Sequence, residues 1–127
     1  MVRIGQLMSR SLVTVQVGTT VMEAAKVMGE RKIGSVFVER NDQVIGIVTE
    51  PDIVRKVVGT SKPPYFTQVE SIMSSPVICI DERRSVTEAA DLMQQHQTRH
   101  LAVSQSGAIV GVLSVRDLLH PVSIDDF

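Results

Sequence analysis

Apolar positions along this chain follow two rhythms that alternate, and the whole alternation then occurs a second time. Leu12–Val15 and Val77–Ile80 are short runs rich in β-branched residues, which predict strands. Each is followed by a hydroxyl residue with glutamate three places on, Thr20-Val-Met-Glu23 and Ser85-Val-Thr-Glu88. That is the capping-box pattern, in which side chain and backbone satisfy one another at a helix start. Behind each box, Val21, Ala24, Ala25, Met28 and Val86, Ala89, Ala90, Met93 recur at helical spacing, predicting helices near 20–31 and 85–96. Ser35–Glu39 and Leu101–Ser104 predict second strands. Asn41-Asp42 and Ser106-Gly107 supply hairpin turns into third strands near Val44–Val48 and Ile109–Leu113. Second helices are expected after Thr49 and Ser114, running to about Val58 and Leu119.

Slid by 65 residues, the chain matches itself without a gap from Met8 to Arg55. Met8-Ser9 falls on Met73-Ser74, Val21, Glu23, Ala24 and Ala25 on Val86, Glu88, Ala89 and Ala90, Met28 on Met93, Val38 on Val103, Gly46 on Gly111, and Asp52 on Asp117. Ten identities in one unbroken register, with the apolar pattern agreeing as well, establish a tandem repeat of one β-α-β-β-α unit. The division predicted is 1–64 for the first repeat and 65–127 for the second. The only proline-rich stretch, Gly59-Thr-Ser-Lys-Pro-Pro-Tyr-Phe-Thr-Gln68, serves as connector. Units of about 55 residues are marginal alone, so the halves are expected to pack into one α/β (α+β) domain with pseudo-two-fold symmetry and paired clefts.

Composition narrows the function classes. Apolar residues make up 43% of the 127, enough for a real core. The longest apolar runs fall far short of the roughly 18 residues of a membrane span. The N-terminus, Met1-Val-Arg-Ile-Gly, lacks the apolar region of a signal peptide, so a cytoplasmic protein is expected. The single cysteine, Cys79, cannot form an internal disulfide and fits a reducing compartment. A net charge of −1 argues against nucleic-acid binding, which calls for a basic excess. Residues 1–64 carry nine Lys/Arg against six Asp/Glu, and residues 65–127 four against eight, a mild asymmetry read as balanced surface charge.

The end of each unit carries the most chemistry: Gly46-Ile-Val-Thr49-Glu-Pro-Asp52 and Gly111-Val-Leu-Ser114-Val-Arg-Asp117. One reading is structural. Thr49 and Ser114 are N-caps, Pro51 sits in a first helical turn, and Asp at the third position favours the positive helix end. The other reading is ligand binding. Both earlier helices use Glu at that third position, whereas both of these use Asp, whose shorter side chain is expected to reach back less well and keep its oxygens freer. A carboxylate can accept from both hydroxyls of a ribose, and a hydroxyl beside helix-start N–H groups can hold phosphate.

The element order, the ungapped tandem and the paired Gly-x-x-Thr/Ser-x-x-Asp motifs together resemble a pair of CBS domains (cystathionine β-synthase domains), often called a Bateman module, over about Ile4 to Leu119. The chain departs from the usual pattern at Phe37 and Ala102, where such repeats often have proline, a position read as packing. The resemblance implies a regulatory module that binds AMP, ADP, ATP or a related adenosyl ligand such as S-adenosylmethionine in clefts between the repeats. It also implies homodimers in which two pairs form a disc. With no effector domain in the chain, output is expected through an unknown regulated protein in trans. By the same resemblance, cleft A takes Ser114, Arg116 and Asp117 with Thr19, Ala24, Ile33, Gly34 and Ser35, and with Arg99 and His100 toward phosphate. Cleft B takes Thr49 and Asp52 with Arg84, Ala89 and Thr98, beside Arg99 and His100. Gly34 and Ser35 are expected to leave room for a flat base. Cleft A is the preferred site.

Other polar residues read more simply. Arg31, Lys32, Arg55 and Lys56 suit helix C-termini, with phosphate attraction as the alternative. His96 and His100 are four apart, but the predicted helix ends between them, so no metal is expected. Cys79 reads as a small buried hydrophobe, the six methionines as core filler, and Tyr65 with Phe66 as anchors of the connector to the core. No nucleophile–base arrangement is evident, so no catalytic residue is assigned and no cofactor is required. The competing function is a ligand-free interaction and dimerisation module.

Overall fold

The computed structural model describes residues 2–119; the tail of the second repeat from His120 onward lies outside the described residues. Each repeat folds in the predicted order. The first contains β1 (Thr14–Gln16), α1 (Val21–Arg31), β2 (Ser35–Arg40), β3 (Gln43–Thr49) and α2 (Glu50–Lys56). The second contains β4 (Cys79–Asp81), α3 (Val86–His96), β5 (His100–Gln105), β6 (Ala108–Ser114) and α4 (Val115–Leu118). Each repeat builds one three-stranded mixed sheet, β1-β2-β3 and β4-β5-β6, with the first pair of strands parallel and the second antiparallel. The registers are superimposable: Ser35 faces Thr49 as His100 faces Ser114, and a bulge follows Val38 as another follows Val103. The first strands begin two residues later than Leu12 and Val77, though the Val13 and Ile78 carbonyls just ahead of them accept from Phe37 and Ala102 at 2.9 Å.

Local chemistry explains the punctuation. Both hairpins turn on two consecutive residues with positive φ, Asn41 and Asp42 in one and Ser106 and Gly107 in the other, the backbone that a two-residue hairpin requires. Both long helices start on full capping boxes at Thr20 and Ser85. Both end on a left-handed residue, Lys32 and Gln97, after which the Ile33 and Thr98 amides donate back to Met28 and Met93 at 3.0 Å.

The compact units do not follow the cut at Pro64/Tyr65. One unit is Val13–Val77; the other joins the segment up to Leu12 to the segment from Ile78 onward. The leading arms of the two repeats have therefore changed places. In the first unit, Ser74 pairs with Ile47 in both directions, at 2.9 and 3.1 Å. In the second, Ser9 pairs with Val112, the counterpart of Ile47, at 2.9 and 3.0 Å. The physical cause is burial: Val69 and Ile72 enter the core of Val21, Ala24, Met28, Val36, Val38, Val48 and Val57. Ile4 and Met8 enter that of Ile80, Ala89, Met93, Leu101, Val103 and Leu113. The matched Met-Ser and glycine positions now have a reason. A Cβ on Gly111 would stand 2.6 Å from the Ser9 carbonyl oxygen and 2.8 Å from Met8 Sδ, and one on Gly46 would meet the Met73 side chain and the Ser74 oxygen. Glycine lets the arm lie against the strand.

Two expectations are corrected here. Tyr65 and Phe66 do not anchor the connector; they are 64% and 85% exposed. The connector is held instead by its backbone and by Val69. The Thr67 and Pro64 carbonyls accept from the Val21 and Met22 amides at the start of α1, and Val69 donates to Thr19. These bonds satisfy helix-start donors that have no partner within the helix. Cys79 is exposed rather than buried, because in the three-residue strand β4 it is Ile80 that faces the core. Phe37 and Ala102 are buried, in keeping with a packing role.

Candidate functional site

Within each unit the start of the second strand and the end of the third converge on the Thr/Ser-x-x-Asp motif. In the first unit the Glu50 amide donates to the Gly34 carbonyl at 3.0 Å, placing Ile33, Gly34 and Ser35 beside Thr49 and Asp52. In the second the Val115 amide donates to the Arg99 carbonyl at 2.9 Å, placing Thr98, Arg99 and His100 beside Ser114 and Asp117. Thr98 tightens this corner, its hydroxyl donating to the His100 carbonyl at 3.1 Å and accepting from the His100 amide at 3.3 Å. Thr19, at the head of α1, has its carbonyl taken by Val69. Arg84, its counterpart before α3, accepts from Ile4 through its carbonyl and pairs its guanidinium with Glu88 at 3.2 Å.

Both motif hydroxyls are N-caps, accepting from the Asp52 and Asp117 amides at 3.3 Å. The expectation that Asp reaches back less well than Glu is wrong. Asp52 Oδ2 accepts from the Thr49 amide at 3.0 Å and Asp117 Oδ2 from the Ser114 amide at 2.8 Å. The glutamates of α1 and α3 reach the same amide at 3.3 and 3.4 Å, sharing their oxygen with the cap hydroxyl. A third-position carboxylate on a short side chain meets the cap amide without folding back, whereas glutamate must curl to do so. Each aspartate therefore turns one oxygen onto its own helix start. The other oxygen differs between units: Asp52 Oδ1 meets the Lys56 ammonium at 3.0 Å, while among the described residues Asp117 forms no ion pair.

Ala24 and Ala89 are corrected to packing residues. Both have no exposed surface and belong to the cores of their units, so their methyl groups contact neighbouring side chains rather than a surface site. Gly34 is flanked by Glu50, whose Oε1 would lie 3.6 Å from an added Cβ, an ordinary contact that leaves space beside the strand. Arg99 and Arg116 are exposed in the second unit.

Sequence reasoning missed two members of this neighbourhood. Glu50 stands next to Gly34, and Lys56 clasps Asp52 rather than serving only the helix end, also donating to the Ile72 carbonyl at 3.0 Å. The four-residue spacing of Asp52 and Lys56 on a helix was the available signal. Among the described residues no group of three His, Cys, Asp or Glu is placed to hold a metal ion, and no helix is long and apolar enough to cross a membrane. The Cys79 thiol, though on an exposed residue, is desolvated enough by adjoining chain that its pKa lies above the ordinary thiol value, which disfavours the nucleophilic thiolate.

Comparison with known proteins follows the same lines. The family model of the CBS domain matches residues 4–59 and 69–123, which leaves no room within this chain for a catalytic domain. An uncharacterized protein of Methanopyrus kandleri is 38% identical over 120 residues, covering 93% of this chain and 61% of that protein, so the chain spans less than two thirds of that relative's length. A solved protein with CBS domains from Burkholderia ambifaria MC40-6 matches with a TM-score of 0.90 and 34% identity over 99% of this chain and 97% of that one. A hexameric CBS-CP12 protein from bloom-forming cyanobacteria matches with a TM-score of 0.89 and 30% identity over 99% and 74%.

Proposed function

Because this chain belongs to the CBS-domain family, as a tandem pair spanning nearly its whole length, we propose that it is a regulatory module that binds an adenine nucleotide or a related adenosyl ligand and passes its occupancy to a partner protein. The observation that carries this reading is the duplicated corner, in which strand start and Thr/Ser-x-x-Asp motif are brought together by the same backbone bond in both repeats. In the second unit Asp117 is the acceptor for sugar hydroxyls, and Ser114, Arg99, His100 and Arg116 supply donors and cations suited to phosphate. In the first unit Thr49 and Asp52 repeat the motif, and Ile33, Gly34 and Ser35 offer a small-residue strand edge to a flat base. S-adenosylmethionine is the alternative to AMP, ADP and ATP, and the cytoplasm is the proposed site of action. A ligand shifts a regulatory equilibrium only through its different affinity for the two states, so the partner must read an arrangement that the ligand favours. Isothermal titration calorimetry with the four ligands tests this. Saturable binding to the wild type, weakened at least about tenfold in Asp117→Ala, is expected from loss of a charged acceptor; absence of binding at millimolar ligand rejects the reading.

One observation favours a second reading, a ligand-free dimerisation module. Val54 and Leu119 occupy equivalent positions in or just after the second helices and are 60% and 63% exposed. Apolar side chains presented at matched positions suit a symmetric interface between two copies. This reading predicts a stable dimer by light scattering and no thermal shift with any nucleotide.

A further inference from the structure

The two copies of the motif are not equally available to a ligand. In the first unit both oxygens of Asp52 are engaged, Oδ2 by the Thr49 amide and Oδ1 by the Lys56 ammonium, each at 3.0 Å. The ammonium is itself fixed by the Ile72 carbonyl, 16 residues further along the chain. The Asp52 side chain is only 12% exposed, so this pair is less screened than one on open surface. In the second unit Asp117 uses Oδ2 for the Ser114 amide, and the counterpart of Lys56 is Pro121, which carries no charge. The surroundings differ in the same direction. Glu50 stands beside Gly34 in the first unit, whereas Arg99, His100 and Arg116 take the positions of Gly34, Ser35 and Pro51 in the second.

We propose that Lys56 is a latch that closes the first copy of the motif to the sugar hydroxyls of a nucleotide, leaving one working copy per chain, at Asp117. The proposal rests on the adenylate reading above. Ribose hydroxyls at Asp52 must compete for its oxygens with an ammonium already held there and by the Ile72 carbonyl. The Asp117 oxygen meets no such competitor among the described residues, and an anionic ligand is drawn to the unit with the cations. Lys56 thus acts as a specificity-determining residue that sets stoichiometry.

The experiment is calorimetric titration of AMP into the wild type, Lys56→Met and the double variant Lys56→Met/Asp52→Ala. Lys56→Gln serves as a second probe that keeps an amide donor toward Ile72 should the methionine variant fold poorly. The expected stoichiometries are one AMP per chain in the wild type, two in either Lys56 variant, and one again in the double variant. Two sites in the wild type overturn the latch, as does a single site in both Lys56 variants; in each case the adenylate reading stands. No binding of AMP, nor of ADP, ATP or S-adenosylmethionine titrated in parallel, by any of the proteins removes the adenylate reading and the latch with it.

Discussion

The two units share one topology and one register, yet they fix the same features by different means. At the turn between first strand and first helix, the first unit uses a residue just beyond the connector: the Glu70 carboxylate accepts from the Gly18 amide through both oxygens, at 2.9 and 3.1 Å. The second unit uses a local pair, with Asp81 Oδ1 accepting from the Arg83 amide at 2.9 Å and from its guanidinium at 3.0 Å. Over the head of the first helix, the first unit carries the connector, and Val21 is wholly buried; the counterpart Val86 is half-buried. At the motif, the first unit pairs its aspartate with a lysine, while the second has Arg99, His100 and Arg116 at the positions of Gly34, Ser35 and Pro51. Duplication preserved what the fold needs, namely the capping boxes, the hairpin turns and the glycine under each arm. The contacts around the motif aspartate diverged.

The arms offer the sharpest way to test this comparison. Ile4 is fully buried in the second unit although it precedes the first repeat's own strands. Ile4→Ala is expected to cost about 3 kcal/mol, the usual penalty for removing a large aliphatic side chain from a core. Hydrogen exchange should show the loss of protection at the Val112 amide, which Ser9 holds, while the Ile47 amide of the first unit keeps its protection. Equal loss in both units would contradict the exchanged arms.

A smaller effect separates the two glycines. Gly111→Ala forces the new methyl against the Ser9 backbone oxygen at 2.6 Å, and the arm must move, at about 2–3 kcal/mol. In Gly46→Ala the nearest backbone atom, the Ser74 oxygen, stands at 3.0 Å, and the closer obstruction is the flexible Met73 side chain. That variant should cost about 1 kcal/mol less by chemical denaturation. A reversed order would mean that the methionines, rather than the backbone of the arms, set the tolerance.

The smallest effect is electrostatic and belongs to the second unit. The Arg83 side chain and amide hydrogen-bonded to Asp81 hold its carboxyl below the ordinary value of 3.8. A carboxyl lowered in the folded state adds stability that is fully present above its unfolded value and is lost as pH falls through its folded one. Protection factors around the β4–α3 turn, with the intrinsic pH dependence of exchange divided out, should therefore fall modestly below pH 3.8, and Asp81→Asn should flatten that fall. The Ile33 amide, held by the Met28 carbonyl and by no carboxylate, is the internal reference.

How far the residues alone could be read varies along the chain. The long helices were legible because capping boxes and apolar spacing mark Thr20 and Ser85 within the chain itself, and the hairpins because Asn41-Asp42 and Ser106-Gly107 suit positive φ. The candidate corner was legible through the doubled Gly-x-x-Thr/Ser-x-x-Asp pattern. The arms were not: a single bridge at Ser9 or Ser74 has no periodicity to recognise. Nor was the orientation of Cys79, since a three-residue strand is too short for its alternation to declare which face is inside.

The sequence by itself determined the repeat, the element order, the turn chemistry and the family, because each depends on residues close together or on a register of 65 that can be counted. Only the tertiary structure decided which repeat receives each arm, that Ala24 and Ala89 belong to the cores, and that Lys56 rather than solvent meets Asp52. These outcomes depend on burial and on the positions of charged groups in space, and two chemically matched copies leave them open until the backbone has closed.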